Sequence, residues 1–341
     1  IALSIVAAGI ANNYQNIKFL KCDLFNHEQI VETFEKFNPD IIVNTSRFMS
    51  GHKYGAYSYP NEIGYGVWSP MSVSLIYRLM KAVNEYEITS GKFVDVINTS
   101  YPDATNPWLD SIGLAPTTGA GNVNHLIPRI KRAVVKIYNE KYGDFSITPY
   151  DVDVDLFCSH HANTYISKEG LEKSPTLIQI KINGINFEVN KSDLYSYCKD
   201  NTASGQVRNV MIATDCYMIC KALTSYKGEM KIHLPGVKGY IGGYSCTIST
   251  DSNFKSNINI NCCDNNEFAL GNVVRVNAES MTYDGVESIV RGNLVFTDEV
   301  IYKMKSVFNI DYPKKISIVD AEEFAKVISD GLSRYDERNS K

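Results

Sequence analysis

Two histidines sit side by side at the end of a strand-like run: Asp151-Val-Asp-Val-Asp-Leu-Phe-Cys158 delivers Ser159-His160-His161-Ala162-Asn163. Histidine titrates nearest neutrality, so it can give or take the proton that accompanies hydride transfer to or from a carbonyl. The run reads as a strand, and adjacent strand residues face opposite sides, so at most one of the pair points into a cleft. His125, directly after Gly121-Asn-Val-Asn124, is a further acid/base candidate, against the plainer reading of an exposed first-turn residue. Arg47 directly follows Ile41-Ile-Val-Asn-Thr45-Ser46, where a planar guanidinium could clamp a carboxylate in bidentate fashion. The catalytic candidates are therefore His160, His161, His125 and Arg47, with His52 and Lys53 placed to close over a substrate. None of the eight cysteines forms a CxxC pair, and Cys216 and Cys220 stack on one helix face, so no metal site is expected.

The elements that must position these groups are short strands. Phe93-Val-Asp-Val-Ile-Asn-Thr-Ser100 is β-branched, ends in small polar residues and runs into Tyr101-Pro-Asp-Ala-Thr-Asn-Pro107. It reads as a buried parallel strand emptying into a polar loop. Ligands of open α/β sheets sit outside the carboxyl ends of the strands. That edge would carry Thr45 and Ser46 from one strand and Asn98, Thr99, Ser100 and Asn106 from the next. Asn122, behind Gly119-Ala-Gly121, joins them. Turn asparagines mostly satisfy their own backbone, which is the alternative for all three.

Spacing sets the rest. A helix over 1–11, a strand over 17–24, a helix over 27–37 and a strand over 41–46 make a β-α-β unit. A long Gly/Tyr-rich loop spans 47–66, of the kind that serves as a lid. Helices follow over 71–87 and 126–142. Beyond about 165 the texture changes to a hairpin over 176–189 about Asn183-Gly184 and a helix over 206–225. A strand over 230–234 and a Gly-rich connector over 235–243 come next, the connector a chain reversal able to line the cleft. Strands over 245–249, 273–277 and 294–296 precede a helix capped by Thr297 and a last helix over 320–332. The fold class expected is α/β, a doubly wound parallel sheet over 1–165 with an α+β domain over 166–341 for substrate binding or oligomerisation.

The chain is 44% hydrophobic and 21% charged with a net charge of −4, which leaves no basic footprint for nucleic acid. No apolar run approaches a membrane span, and no signal-peptide pattern opens the chain. Cysteine usage suits a reduced, cytoplasmic setting. No glycine-rich phosphate turn precedes residue 17, so truncation by roughly 35 residues, enough for a strand, its turn, a helix and a second strand, is expected.

In order, Asn98-Thr-Ser100, Asn106-Pro107, Gly119-Ala-Gly-Asn122 and the histidine pair near Asn163 resemble the Rossmann dehydrogenase superfamily. The likeness is closest to its lactate/malate dehydrogenase-like branch, which also holds nicotinamide-dependent glycosidases. The resemblance implies that the Asn-Pro segment lies against a nicotinamide and that a histidine after the later strand is the acid/base. Leu126 stands where the branch has the aspartate three before its arginine, here Arg129, and no metal-binding cysteine precedes Asn122. Residues 12–46 are more similar to extended short-chain reductases or saccharopine dehydrogenases, which implies that Asp23 and Leu24 lie beside an adenine ring. Tyr77 and Lys81 copy a short-chain reductase pair but precede the strand they should follow, so a surface pair is the better reading.

The function implied is an NAD- or NADP-dependent oxidoreductase acting on a small polar hydroxyl or carbonyl substrate, in a possible homo-oligomer without nucleic acid or membrane. A nicotinamide-dependent epimerase or lyase, and a non-catalytic nucleotide-binding protein, are the alternatives.

Overall fold

Where apolar spacing and end-caps agree, the elements form as their residues dictate. The computed structural model describes residues 17–199, 209–224, 229–250, 256–263 and 267–339; the helix expected over 1–11 and the start of that expected at 206 lie outside them. The first elements are α1 (His27–Phe37), β1 (Ile41–Asn44), α2 (Gly51–Ser58), α3 (Ser69–Ser90), β2 (Asp95–Asn98), α4 (Pro102–Asp110), β3 (Thr118–Gly119), α5 (Ile127–Tyr142) and β4 (Val152–Cys158). Next come α6 (His160–Glu169), β5 (Leu177–Ile182), β6 (Ile185–Asn186), α7 (Lys191–Ser196), α8 (Asn209–Thr224), β7 (Met230–Pro235), β8 (Gly243–Thr250) and β9 (Ser256–Ile260). The last are α9 (Leu270–Tyr283), β10 (Val286–Val290), β11 (Asn293–Phe296), α10 (Asp298–Phe308), β12 (Lys315–Ser317) and α11 (Ala321–Asn339).

Asn26 caps α1 through its side chain, which accepts from Gln29 N at 3.0 Å, and left-handed Asn38 ends it. Ile30 and Phe34 bury its inner face against α3. Pro70 starts α3 and Gly91 ends it. The hairpin turn takes Asn183 and Gly184 at φ 50° and 81°, the backbone that a two-residue primed turn requires.

The fold is α/β, with β1, β2 and β3 forming a three-stranded parallel sheet. Several expectations fail here. β4 is not a parallel neighbour of β2: it pairs antiparallel with β5 and β8 in a six-stranded sheet. Burial alternates over its first half, where Asp153 is exposed, while Leu156, Phe157 and Cys158 are all buried where α9 joins α5 against it. Residues 17–23 form no strand, and Ile17, Phe19 and Leu20 stay exposed. The loop expected over 47–66 holds α2 and a one-turn 3-10 helix, Tyr65–Trp68. Residues 273–277 lie within α9, because Val273, Val276, Asn277, Ser280 and Met281 bury at three- and four-residue spacing.

Residues 102–110 are helix, not loop, despite Pro107 inside. Pro107 cannot donate to the Asp103 carbonyl one turn back. Gly242 N takes that acceptor at 2.9 Å, so the connector between β7 and β8 repairs α4 from outside. This docking holds the connector against the helix, and none of residues 236–243 lines the cleft described below.

Packing crosses residue 165. One core joins Ile30, Val73, Val96 and Trp108 to Met281, Phe296, Phe308 and Ile328. A second joins α5, β4, β5 and α7, and a third joins Ile97 to α8, β7 and β8. Among the described residues, no helix is long and apolar enough to cross a membrane.

Candidate functional site

The cleft opens at the carboxyl ends of β1 and β2 and encloses about 500 Å³ between α2, the first turns of α4 and α6, and the start of α8. Arg47, Ser100, Tyr101, Asp103 and His160 line it, with Tyr54, Tyr59, Tyr65 and Trp68 as aromatic wall.

Of the sequence candidates, Arg47, His52, Thr99, Ser100 and His160 meet there, and Lys53 does not. Both histidines belong to the first turn of α6, not to a strand, so they diverge by helical rotation. The His160 ring lies 4.1 Å from that of Tyr65. His161 turns away from the cleft: its Nδ1 is 3.1 Å from Ser174 Oγ, and its ring packs on Tyr165 and Tyr283. Burial pulls its pKa down to about 4, with Lys173 adding to the effect, so His161 stays neutral at pH 7.

His125 is buried, not exposed, and is absent from the cleft lining. Its Nε2 meets Asp215 Oδ2 at 3.0 Å, while Asn124 Nδ2 donates to the other oxygen at 2.8 Å. This histidine–aspartate pair ties the 3-10 turn before α5 to α8.

Asn98 and Asn106 serve the fold, chiefly through other side chains. Asn98 Oδ1 accepts from Asn44 Nδ2 at 2.9 Å and from Ser100 N, and its Nδ2 donates to Thr105 Oγ1 and to Asn106 Oδ1 at 2.8 Å. Asn98 and Asn106 are buried off the cleft and lock the ends of β1 and β2 to α4. Ser46 joins that lock through Asn44 Oδ1, and Thr45 is exposed; neither lines the cleft. Asn122 stands in the 3-10 turn Asn122–Leu126, and its side chain lies outside the described structure. Gly119 and Gly121 make room for Pro102 and Pro235. Asp23 and Leu24 form the turn entering α1: Asp23 Oδ1 accepts from Phe25 N at 2.9 Å, and Leu24 packs on the first core. Neither reaches the cleft. Lys81 Nζ lies 4.6 Å above the Tyr77 ring, a self-contained pair.

Two carboxyls that spacing did not single out matter here: Asp103 lines the cleft, and Asp284 holds the Tyr65 backbone beside it. Asp103, in the first turn of α4, is 3% exposed; its carboxylate takes backbone N–H groups of Asp103 itself and of His160. Its Oδ1 has no hydrogen-bond partner among the described residues. Asp284, in the turn between α9 and β10, accepts from Tyr65 N at 3.1 Å and from His161 N at 2.9 Å. Gly64 and Gly66 admit that turn, since a Cβ on either would collide with the Asp284 backbone. Burial pushes Asp103 up to about 7 against the pull of the two amides. Burial, with the charge of Asp103 added, pushes Asp284 up to about 7 as well. Burial first, then Asp284 and Asp103, hold the Tyr101 hydroxyl well above the ordinary phenol range. Tyr101 also has φ 48°, a left-handed backbone strained for a bulky residue and of a kind that clusters at functional sites. Tyr101-Pro-Asp reads as loop in the sequence; a proline followed by an acid, as at a helix's first turn, is the signal that could have found it.

The free amides at the starts of α4 and α6 are thus directed at carboxylates. A phosphate would need those donors, so the residues present do not fit the pyrophosphate of a dinucleotide at this edge. Among the described residues no group of histidine, cysteine and acidic side chains could hold a metal ion. Comparison with protein-family models, with curated proteins and with solved structures gives no match.

Proposed function

We propose that the cleft is the active site of an enzyme that moves a proton on a small polar substrate, with Asp103 as acid/base and His160 beside it. The observation that carries this reading is Asp103: a carboxyl lining the cleft, buried, with one oxygen unused and a pKa of about 7. An acid/base works best when its pKa lies near the working pH, and burial supplies that shift. Tyr65 and Tyr101 flank the His160 ring, and Arg47 supplies a fixed positive charge to polarise or orient the substrate.

NAD- or NADP-dependent oxidation is the reaction class that the motif order implies, with β1–β3 as the parallel centre of a doubly wound sheet. The cleft amides do not suit its cofactor, so the proposal stands on proton transfer alone.

Proton NMR of a mixture of small hydroxy, oxo and amino compounds, with and without NADH or NADPH, tests both. The expected result is turnover that Asp103→Asn lowers by about 10²–10⁴-fold and that needs no nucleotide. Turnover indifferent to Asp103→Asn would end the assignment, and dependence on NADH or NADPH would restore the oxidoreductase reading.

A further inference from the structure

Arg47 and Asp103 line the same cleft, and neither forms an ion pair with a described residue. Arg47 is partly buried; its Nη2 donates to the Thr99 carbonyl at 2.8 Å, and it forms no ion pair with any described residue. Its nearest titratable neighbours are Tyr54 and Tyr65, neutral phenols, so burial lowers its pKa without a carboxylate to offset the cost. On the same cleft Asp103 offers a buried oxygen with no donor among the described residues. A buried cation and a buried acceptor left open in one small space are both costly, and a ligand that answers both relieves both.

We infer that the natural ligand is a small zwitterion of the amino-acid type, its carboxylate held by Arg47 and its ammonium by Asp103. This rests on the proposed use of the cleft and names its substrate class. An ammonium beside Asp103 keeps the carboxylate ionised, so each charge of the ligand meets its opposite in the cleft. A simple carboxylate would leave the Asp103 oxygen unanswered. The aromatic wall suits the cationic end as well. The face of Tyr59 already carries Lys168 Nζ at 3.5 Å from its centroid, so these rings accept positive charge in this setting. Gly51 contributes to the anionic end, because a Cβ there would come within 2.8 Å of Arg47 Nη1.

The test is calorimetric titration of the protein with each common α-amino acid. The best binder is then compared with its deaminated carboxylate and its decarboxylated amine. The inference expects one or more amino acids to bind, and each half-ligand to bind at least about tenfold more weakly, as loss of one charge-assisted contact dictates. Arg47→Gln should weaken the amino acid by a similar factor and leave the amine unchanged. Asp103→Asn should weaken the amino acid and spare the carboxylate. Should Arg47→Gln fail to fold, Gly51→Ala crowds the guanidinium on a helix that tolerates alanine, and it should selectively weaken the amino acid and the carboxylate. Absence of binding by every amino acid, or a half-ligand that binds as well as the whole, overturns the ligand class. Turnover of some other compound that depends on Asp103 would do the same while leaving the acid/base reading in place.

Discussion

At the scale of single residues, burial outweighs the backbone at Asp103. Two amides at helix starts favour a carboxylate, and such donors ordinarily lower a carboxyl pKa. Here the desolvation is larger, and the group rises from 3.8 to about 7. The consequence for stability has a definite sign. In the unfolded chain Asp103 loses its proton near 3.8, and in the folded chain near 7. Between those values the folded state binds the extra proton, so its stability falls as pH rises toward 7 and stays low above it. Asp103→Asn keeps an acceptor for the two amides and removes the buried charge. It should therefore raise Tm at pH 8, by the equivalent of on the order of 1–3 kcal/mol, and change little at pH 5. Equal Tm differences at both pH values, read by thermal denaturation, would show that the charge is not the cause. Arg47 was legible in the sequence because it follows a strand directly. Asp103 was not, since its burial depends on α6 packing beside α4, and no local spacing encodes that contact.

Elements were legible where one face is apolar and the ends are capped. α1 was read to its last residue, and the Asn183-Gly184 hairpin formed as its turn demands. Two kinds of segment misled. Pro107 made a helix look like a loop, because its missing bond is replaced by Gly242, remote in sequence. β4 was read as a strand and is one, but a strand's own residues do not say whether it pairs parallel or antiparallel. The asparagine lock explains why Asn98 and Asn106 looked functional: they are polar and adjacent to the cleft, yet Asn98 spends both side-chain atoms and Asn106 its Oδ1 on the lock. Asn98→Ala would leave Asn44, Thr105 and Asn106 short of partners. Its expected cost is on the order of 2–3 kcal/mol in urea denaturation, with ligand affinity affected only as far as stability falls. A selective loss of binding without destabilisation would return Asn98 to the site.

Across the whole molecule, the ends of the described chain close one core. Ile328 of α11 is fully buried in the same cluster as Val73 of α3 and Val96 of β2. Asp284, also from the later part of the chain, fixes Tyr65 at the cleft and holds the His161 amide at the start of α6. The site is therefore an assembly of distant segments, and a division at residue 165 does not describe its packing. Ile328→Ala should cost about 2–5 kcal/mol and lower the main melting transition rather than fray one helix. An unchanged transition by calorimetry would mean that α11 is an appendage. The account as a whole depends on a carboxyl that titrates near neutrality inside the cleft. Carbon-13 NMR of the aspartate side chains across pH 3–9, in the protein and in Asp103→Asn, measures it directly. We predict a carboxyl signal titrating near pH 7 that disappears in the variant; every aspartate titrating below pH 5 would contradict the account.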